Sequence, residues 1–112
     1  MQLREDPEWK DGEKSPRRST RVQTDVLIEV QGQDFAYAGE TVTVNLHGAL
    51  IRTSAPLEIG TPVTVHVHRT GRSAPAHIVF ATHDSGSRYG IELDHPDNIW
   101  GVSATPPDWN VV

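Results

Sequence analysis

The chain has 112 residues, ten Lys/Arg against fifteen Asp/Glu, a net charge of −5 and no cysteine. That length suits one small domain, and the missing cysteines exclude a disulfide framework, a thiolate metal site and a cysteine nucleophile. No apolar run approaches the ~18 residues of a membrane helix, and Met1 to Lys14 lacks the apolar core of a signal peptide, so the expectation is a soluble, cytoplasmic protein.

The charge is unevenly placed. Residues 1–21 carry six Lys/Arg and five acids, whereas the remainder carries only Arg52, Arg69, Arg72 and Arg88 against ten acids, a net of −6. Such a body does not suit a generally basic nucleic-acid binder, so no DNA or RNA partner is expected. The compact cluster Arg17, Arg18 and Arg21, set on an acidic body, suits a discrete anion gripped by forked guanidinium donors. A solvated charge run is the ordinary alternative.

In chain order, residues 1–14 are polar, of mixed charge, with Pro7 and Gly12, and bury too little to offset ordering. They read as a flexible arm in which Trp9 is the one large apolar anchor. From Val22 the pattern alternates with period two: Val22, Thr24, Val26, Ile28 and Val30 face one way, and Gln23, Asp25 and Glu29 the other, as in a half-buried antiparallel strand. Gly32-Gln33-Asp34 is a turn. A second strand spans Tyr37 to Leu46, with Val42, Val44 and Leu46 inward and Thr41, Thr43 and Asn45 outward. His47-Gly48 reads as a reversal in which glycine supplies a positive φ. Ala49 to Thr53 is a third strand, followed by a loop over Ser54 to Thr61. A fourth strand puts Val63, Val65 and Val67 inward and Thr64, His66 and His68 outward. Thr70 to Ser73 is a turn, Ala76 to Thr82 a fifth strand, Asp84 to Ser87 a turn and Tyr89 to Leu93 a sixth strand. Residues 96–112 form a short C-terminal tail whose Trp100 and Trp109 can pack on the barrel or on a partner. Six short strands separated by turn signals, with no helical pattern, predict an all-β fold. An antiparallel barrel over residues 15–95, closed to hide its edges, is expected.

Two segments combine. The arginine cluster enters the first strand, and the second strand ends in Thr43-Val44-Asn45-Leu46-His47-Gly48, where Thr43 and Asn45 share a face. The pair resembles the two motifs of the PilZ domain family. Arg17-Arg18-Ser19-Thr20-Arg21 fits its RxxxR, and residues 43–48 occupy the place of its [D/N]xSxxG, with Gly48 in register. Thr43 stands at the Asp/Asn position and Asn45 at the Ser position. Ala49-Leu50-Ile51-Arg52 and Tyr89-Gly90-Ile91-Glu92-Leu93 resemble the family's third and last strands, and Trp100-Gly101-Val102 with Pro106-Pro107-Asp108-Trp109 looks like a variant subgroup.

The resemblance implies a six-stranded antiparallel PilZ-like β-barrel that binds the bacterial second messenger cyclic di-GMP. It places Arg17, Arg18, Arg21, Thr43, Asn45 and Gly48 at the ligand. An arginine side chain can take phosphate bidentately, meet the guanine O6/N7 edge or stack on the base. In the family the arginine loop wraps over the nucleotide, so an ordered arm or a new partner surface is the implied output. The altered second motif works against affinity: one lost charge-assisted bond costs ~1.5–3 kcal/mol. The competing reading is therefore a degenerate barrel that binds no nucleotide and serves as a protein–protein interaction module, with Trp9, Trp100 and Trp109 as its first candidate anchors.

Other chemistry finds little support. His66 and His68 share a strand face, and His77 or His83 could add a metal ligand, but outward histidines on a solvated face explain the pattern. No nucleophile elbow, paired-carboxylate motif or phosphate loop is visible. No enzyme, cofactor, catalytic residue or metal site is expected.

Overall fold

The computed structural model describes residues 19–82 and 87–110. The expected arm, Trp9, Arg17, Arg18 and most of the turn before the last strand lie outside the described residues. The alternating segments form β1 (Val22–Gln23), β2 (Leu27–Gln31), β3 (Ala36–Asn45), β4 (Gly48–Thr53), β5 (Pro62–Val67), β6 (Arg72–Thr82) and β7 (Arg88–Leu93). Every pairing is antiparallel. The order β3-β2-β5-β6-β7-β4 returns to β3 through the β3–β4 pair, so six strands close into a barrel without an open edge. β1 pairs with β3 alone.

The expected first strand is broken in two, and the cause is Thr41. Its hydroxyl donates to the carbonyl of Thr24 at 2.6 Å and accepts the Val26 amide at 2.9 Å. It thus satisfies backbone groups that a continuous ladder would pair. Thr41 is therefore inward and 1% exposed, not outward as its place in the alternation predicts. The β3–β4 register shifts between Thr41 and Thr43. A bulge of this kind inserts one residue and reverses the facing of everything beyond it. Val42 takes up the shift and is only half-buried, while Val44 returns to the core.

Elsewhere the alternation holds. Val63, Val65 and Val67 face inward with Ile28, Val30, Ile51, Ile78 and Ile91. β6 starts at Arg72, earlier than expected, and the preceding turn moves to His68–Gly71, with Gly71 at φ 71°. Tyr89 is fully buried in β7. Its hydroxyl donates to the Ala55 carbonyl at 2.8 Å and accepts the Leu57 amide at 3.1 Å, tying the β4–β5 loop to the core.

The chain after β7 crosses the end of the barrel at the β3–β4 turn. The Asp97 amide donates to the Leu46 carbonyl at 2.9 Å, and the Thr70 hydroxyl donates to the Ile99 carbonyl at 2.9 Å. Trp100 is 0% exposed and Trp109, in a short 3-10 turn over Pro107–Asn110, is 5% exposed. Both side chains are buried within this chain.

Candidate ligand-binding site

The β3–β4 turn is built by Asn45. Its side-chain oxygen accepts the backbone amides of His47 at 2.8 Å and Gly48 at 2.9 Å, an Asx arrangement that replaces a backbone turn bond. Gly48 does not adopt a positive φ; among the described residues the positive-φ glycines are Gly60, Gly71 and Gly101. Its requirement is space: a Cβ at Gly48 would lie 1.9 Å from the Ile91 carbonyl oxygen of β7. The expectation of a φ-driven glycine is thus corrected to one of close backbone approach.

Onto this turn docks the segment that follows Arg18. Ser19 is buried; its hydroxyl accepts the Leu46 amide at 3.1 Å, and its carbonyl accepts the Asn45 side-chain amide at 3.3 Å. Both ends of the Asn45 amide are consequently occupied within the protein. Thr20 is held from the other side. Its amide and hydroxyl both donate to Asp108 Oδ2, at 3.0 and 2.7 Å, and its carbonyl accepts the Trp109 indole N–H at 2.7 Å. Trp100 donates its indole N–H to the Asn45 carbonyl at 2.9 Å. The two tryptophans thereby anchor one backbone carbonyl in each motif.

Arg21 is exposed and lines a shallow depression with Thr43, Asn45, Gly48 and Leu50. The bulge in β3 leaves Thr43 and Asn45 on the outer side, as the alternation predicts. The depression encloses about 10 Å³, the room of one water molecule, so these residues form a platform rather than a pocket. The structure thus brings together Arg21, Thr43, Asn45 and Gly48. Ser19, Thr20 and Asp108 complete the arrangement and were missed in the sequence: hydroxyls between arginines carry no local pattern, and Asp108 meets Thr20 across 88 residues.

A further electrostatic cluster joins Asp25, Glu40 and Arg52. Arg52 donates through Nε and a terminal nitrogen to Glu40 Oε2, at 3.1 and 2.9 Å, which lowers the Glu40 pKa; a hydrogen bond with Asp25 lowers it further. Asp25 is raised by that hydrogen bond with Glu40 and by its charge. His66 and His68 meet edge to face with ring centroids 5.4 Å apart, His66 meets the Ser73 hydroxyl at 2.7 Å, and His77 lies 3.4 Å from Asp94 and 3.7 Å from Glu92. Among the described residues no three His, Asp or Glu side chains converge as metal ligands, and His83 lies outside them.

No curated protein matches the chain. Among solved structures it is similar to a crystal structure of the PilZ domain of CeSA from a cellulose-synthesizing bacterium. That match has a TM-score of 0.57 and 22% identity, and it covers 73% of this chain and 87% of the other. The likeness bears on the fold. The PilZ domain family model matches residues 15–99, a span that takes in the arginine segment, the β3–β4 turn and all seven strands. The chain belongs to the PilZ domain family.

Proposed function

We propose that this barrel is a cytoplasmic, non-catalytic receptor for cyclic di-GMP, with Arg17, Arg18 and Arg21 gripping phosphate and guanine above the platform of Thr43, Asn45 and Gly48. The observation that carries this reading is the docking of Ser19. Two hydrogen bonds fix it on the β3–β4 turn, so the segment bearing RxxxR joins the barrel at the second motif. Arg21, two residues on, lies on the same depression as Thr43, Asn45 and Gly48. A dianionic ligand with two guanines suits guanidinium groups that can fork to phosphate, pair with the O6/N7 edge or stack on the base. Thr43 offers a hydroxyl, able to donate or accept. Asn45 acts through the turn and Ser19 it holds.

One observation favours the second reading, a nucleotide-free interaction module. Asn45 stands in the Ser position of the motif and its amide is already committed to His47, Gly48 and Ser19.

Calorimetric titration with cyclic di-GMP, with GMP as control, separates the two. Dinucleotide-specific binding of micromolar strength or tighter, about −8 kcal/mol, supports the receptor. Absence of heat at high ligand concentration supports the interaction module.

A further inference from the structure

We infer that Asp108 and Trp109 are positioning residues of the ligand site, supplied by a C-terminal turn that lies beyond the residues matched to the family. This rests on the cyclic di-GMP reading and extends it. The family match ends at residue 99, yet the 3-10 turn over Pro107–Asn110 engages every backbone and side-chain polar group of Thr20. One carboxylate oxygen takes both the amide and the hydroxyl, and one indole N–H meets the carbonyl. Thr20 is the residue between Ser19, fixed on the β3–β4 turn, and Arg21. Two consecutive residues inside RxxxR are thus held by two separate elements, Ser19 by the second motif and Thr20 by the C-terminal turn.

The physical consequence is pre-organisation. A segment ordered before ligand arrives does not pay its ordering cost on binding, so the clamp raises affinity without touching ligand. The negative charge of Asp108 has the opposite tendency, since a carboxylate beside an arginine segment opposes a phosphate. Positioning and charge therefore make different predictions for two substitutions. In Asp108→Asn the side-chain oxygen still accepts from Thr20 while the charge is gone; in Asp108→Ala both are gone.

The test is calorimetric affinity for cyclic di-GMP in the full chain, comparing wild type, Asp108→Asn, Asp108→Ala, Thr20→Val, the Thr20→Val/Asp108→Ala pair and Arg21→Ala, with thermal unfolding as the check on folding. The clamp predicts that Asp108→Ala weakens binding about tenfold, while Asp108→Asn stays within about threefold of wild type or binds more tightly. The double variant is no weaker than Asp108→Ala alone, because both substitutions break one interaction. Thr20→Val loses only the hydroxyl bond and reads the same contact if Asp108→Ala unfolds. Equal affinity in wild type, Asp108→Ala and Thr20→Val overturns the clamp, as does equal tightening in both Asp108 variants, which reports charge alone. In either case loss of binding in Arg21→Ala keeps the receptor reading. A wild type that binds no cyclic di-GMP overturns both.

Discussion

Asn45 donates its side-chain amide to the carbonyl of Ser19, 26 residues earlier in the chain, at 3.3 Å. The other end of the same amide accepts two backbone N–H groups of its own turn. One residue therefore shapes the end of the second motif and seats the first upon it. Asn45→Ala frees two backbone amides and the Ser19 carbonyl. A loss of about 2 kcal/mol in unfolding free energy is expected, together with weaker cyclic di-GMP binding, measured by denaturant unfolding and calorimetry on the same preparation.

Arg21→Ala is expected to weaken cyclic di-GMP about tenfold or more while the protein still folds, since the side chain is exposed on the platform and a charge-assisted bond is worth ~1.5–3 kcal/mol. Arg17→Ala is expected to act alike. Calorimetry and thermal unfolding check both, and affinities equal to wild type exclude this assignment of the arginines.

Gly48→Ala tests the steric account of the turn. The new methyl meets the Ile91 carbonyl, part of the β7 backbone, which yields only if the β4–β7 pair shifts. Overpacking against backbone is expected to cost ~3 kcal/mol, read as a lower unfolding midpoint. A neutral substitution would show that the strands separate easily there.

How much of this was legible beforehand divides along the range of the interactions. The period-two runs gave the inward faces of β2 and β5 because local alternation reports burial. The resemblance placed Thr43, Asn45 and Gly48 beside Arg21. Thr41 was misplaced because its hydroxyl satisfies backbone groups in the break between β1 and β2, and a bulge leaves no local signature in an otherwise regular run. The roles of Ser19, Thr20 and Asp108 were hidden for a different reason: each depends on a contact distant in sequence, 26 and 27 residues for Ser19 and 88 for Thr20 with Asp108. Trp100 and Trp109 were visible as large apolar side chains, but their burial follows from the path of the tail across the barrel end.

Tyr89→Phe addresses the core. Removing the hydroxyl takes one buried partner each from the Leu57 amide and the Ala55 carbonyl, which keep only each other at 3.1 Å, at an expected cost of ~1 kcal/mol. The loop between β4 and β5 should then exchange its amide protons faster in hydrogen–deuterium exchange, while cyclic di-GMP affinity stays close to wild type.

The Asp25–Glu40–Arg52 cluster predicts a pH dependence. Hydrogen bonding and charge repulsion from Glu40 raise the Asp25 pKa above its ordinary 3.8, so the stability tied to this group is present in acid and is lost as pH rises through the raised value. Asp25→Asn is therefore expected to raise the thermal midpoint slightly at neutral pH, with the gain vanishing in acid below the ordinary carboxylate range. Glu40 runs the other way. Its lowered pKa, set first by Arg52, gives stability that is present above the ordinary value and lost as pH falls through the lowered one. Glu40→Gln should therefore cost stability at neutral pH and converge with wild type in acid. Thermal unfolding at both pH values checks each sign.

The most direct measurement is the mapping of backbone amide shifts in isotope-labelled protein on addition of cyclic di-GMP. The account predicts saturable changes centred on Ser19 to Arg21 and on Thr43 to Gly48, extending to the indole N–H of Trp109. A spectrum unchanged by the dinucleotide, or changes centred on another face of the barrel, would contradict it.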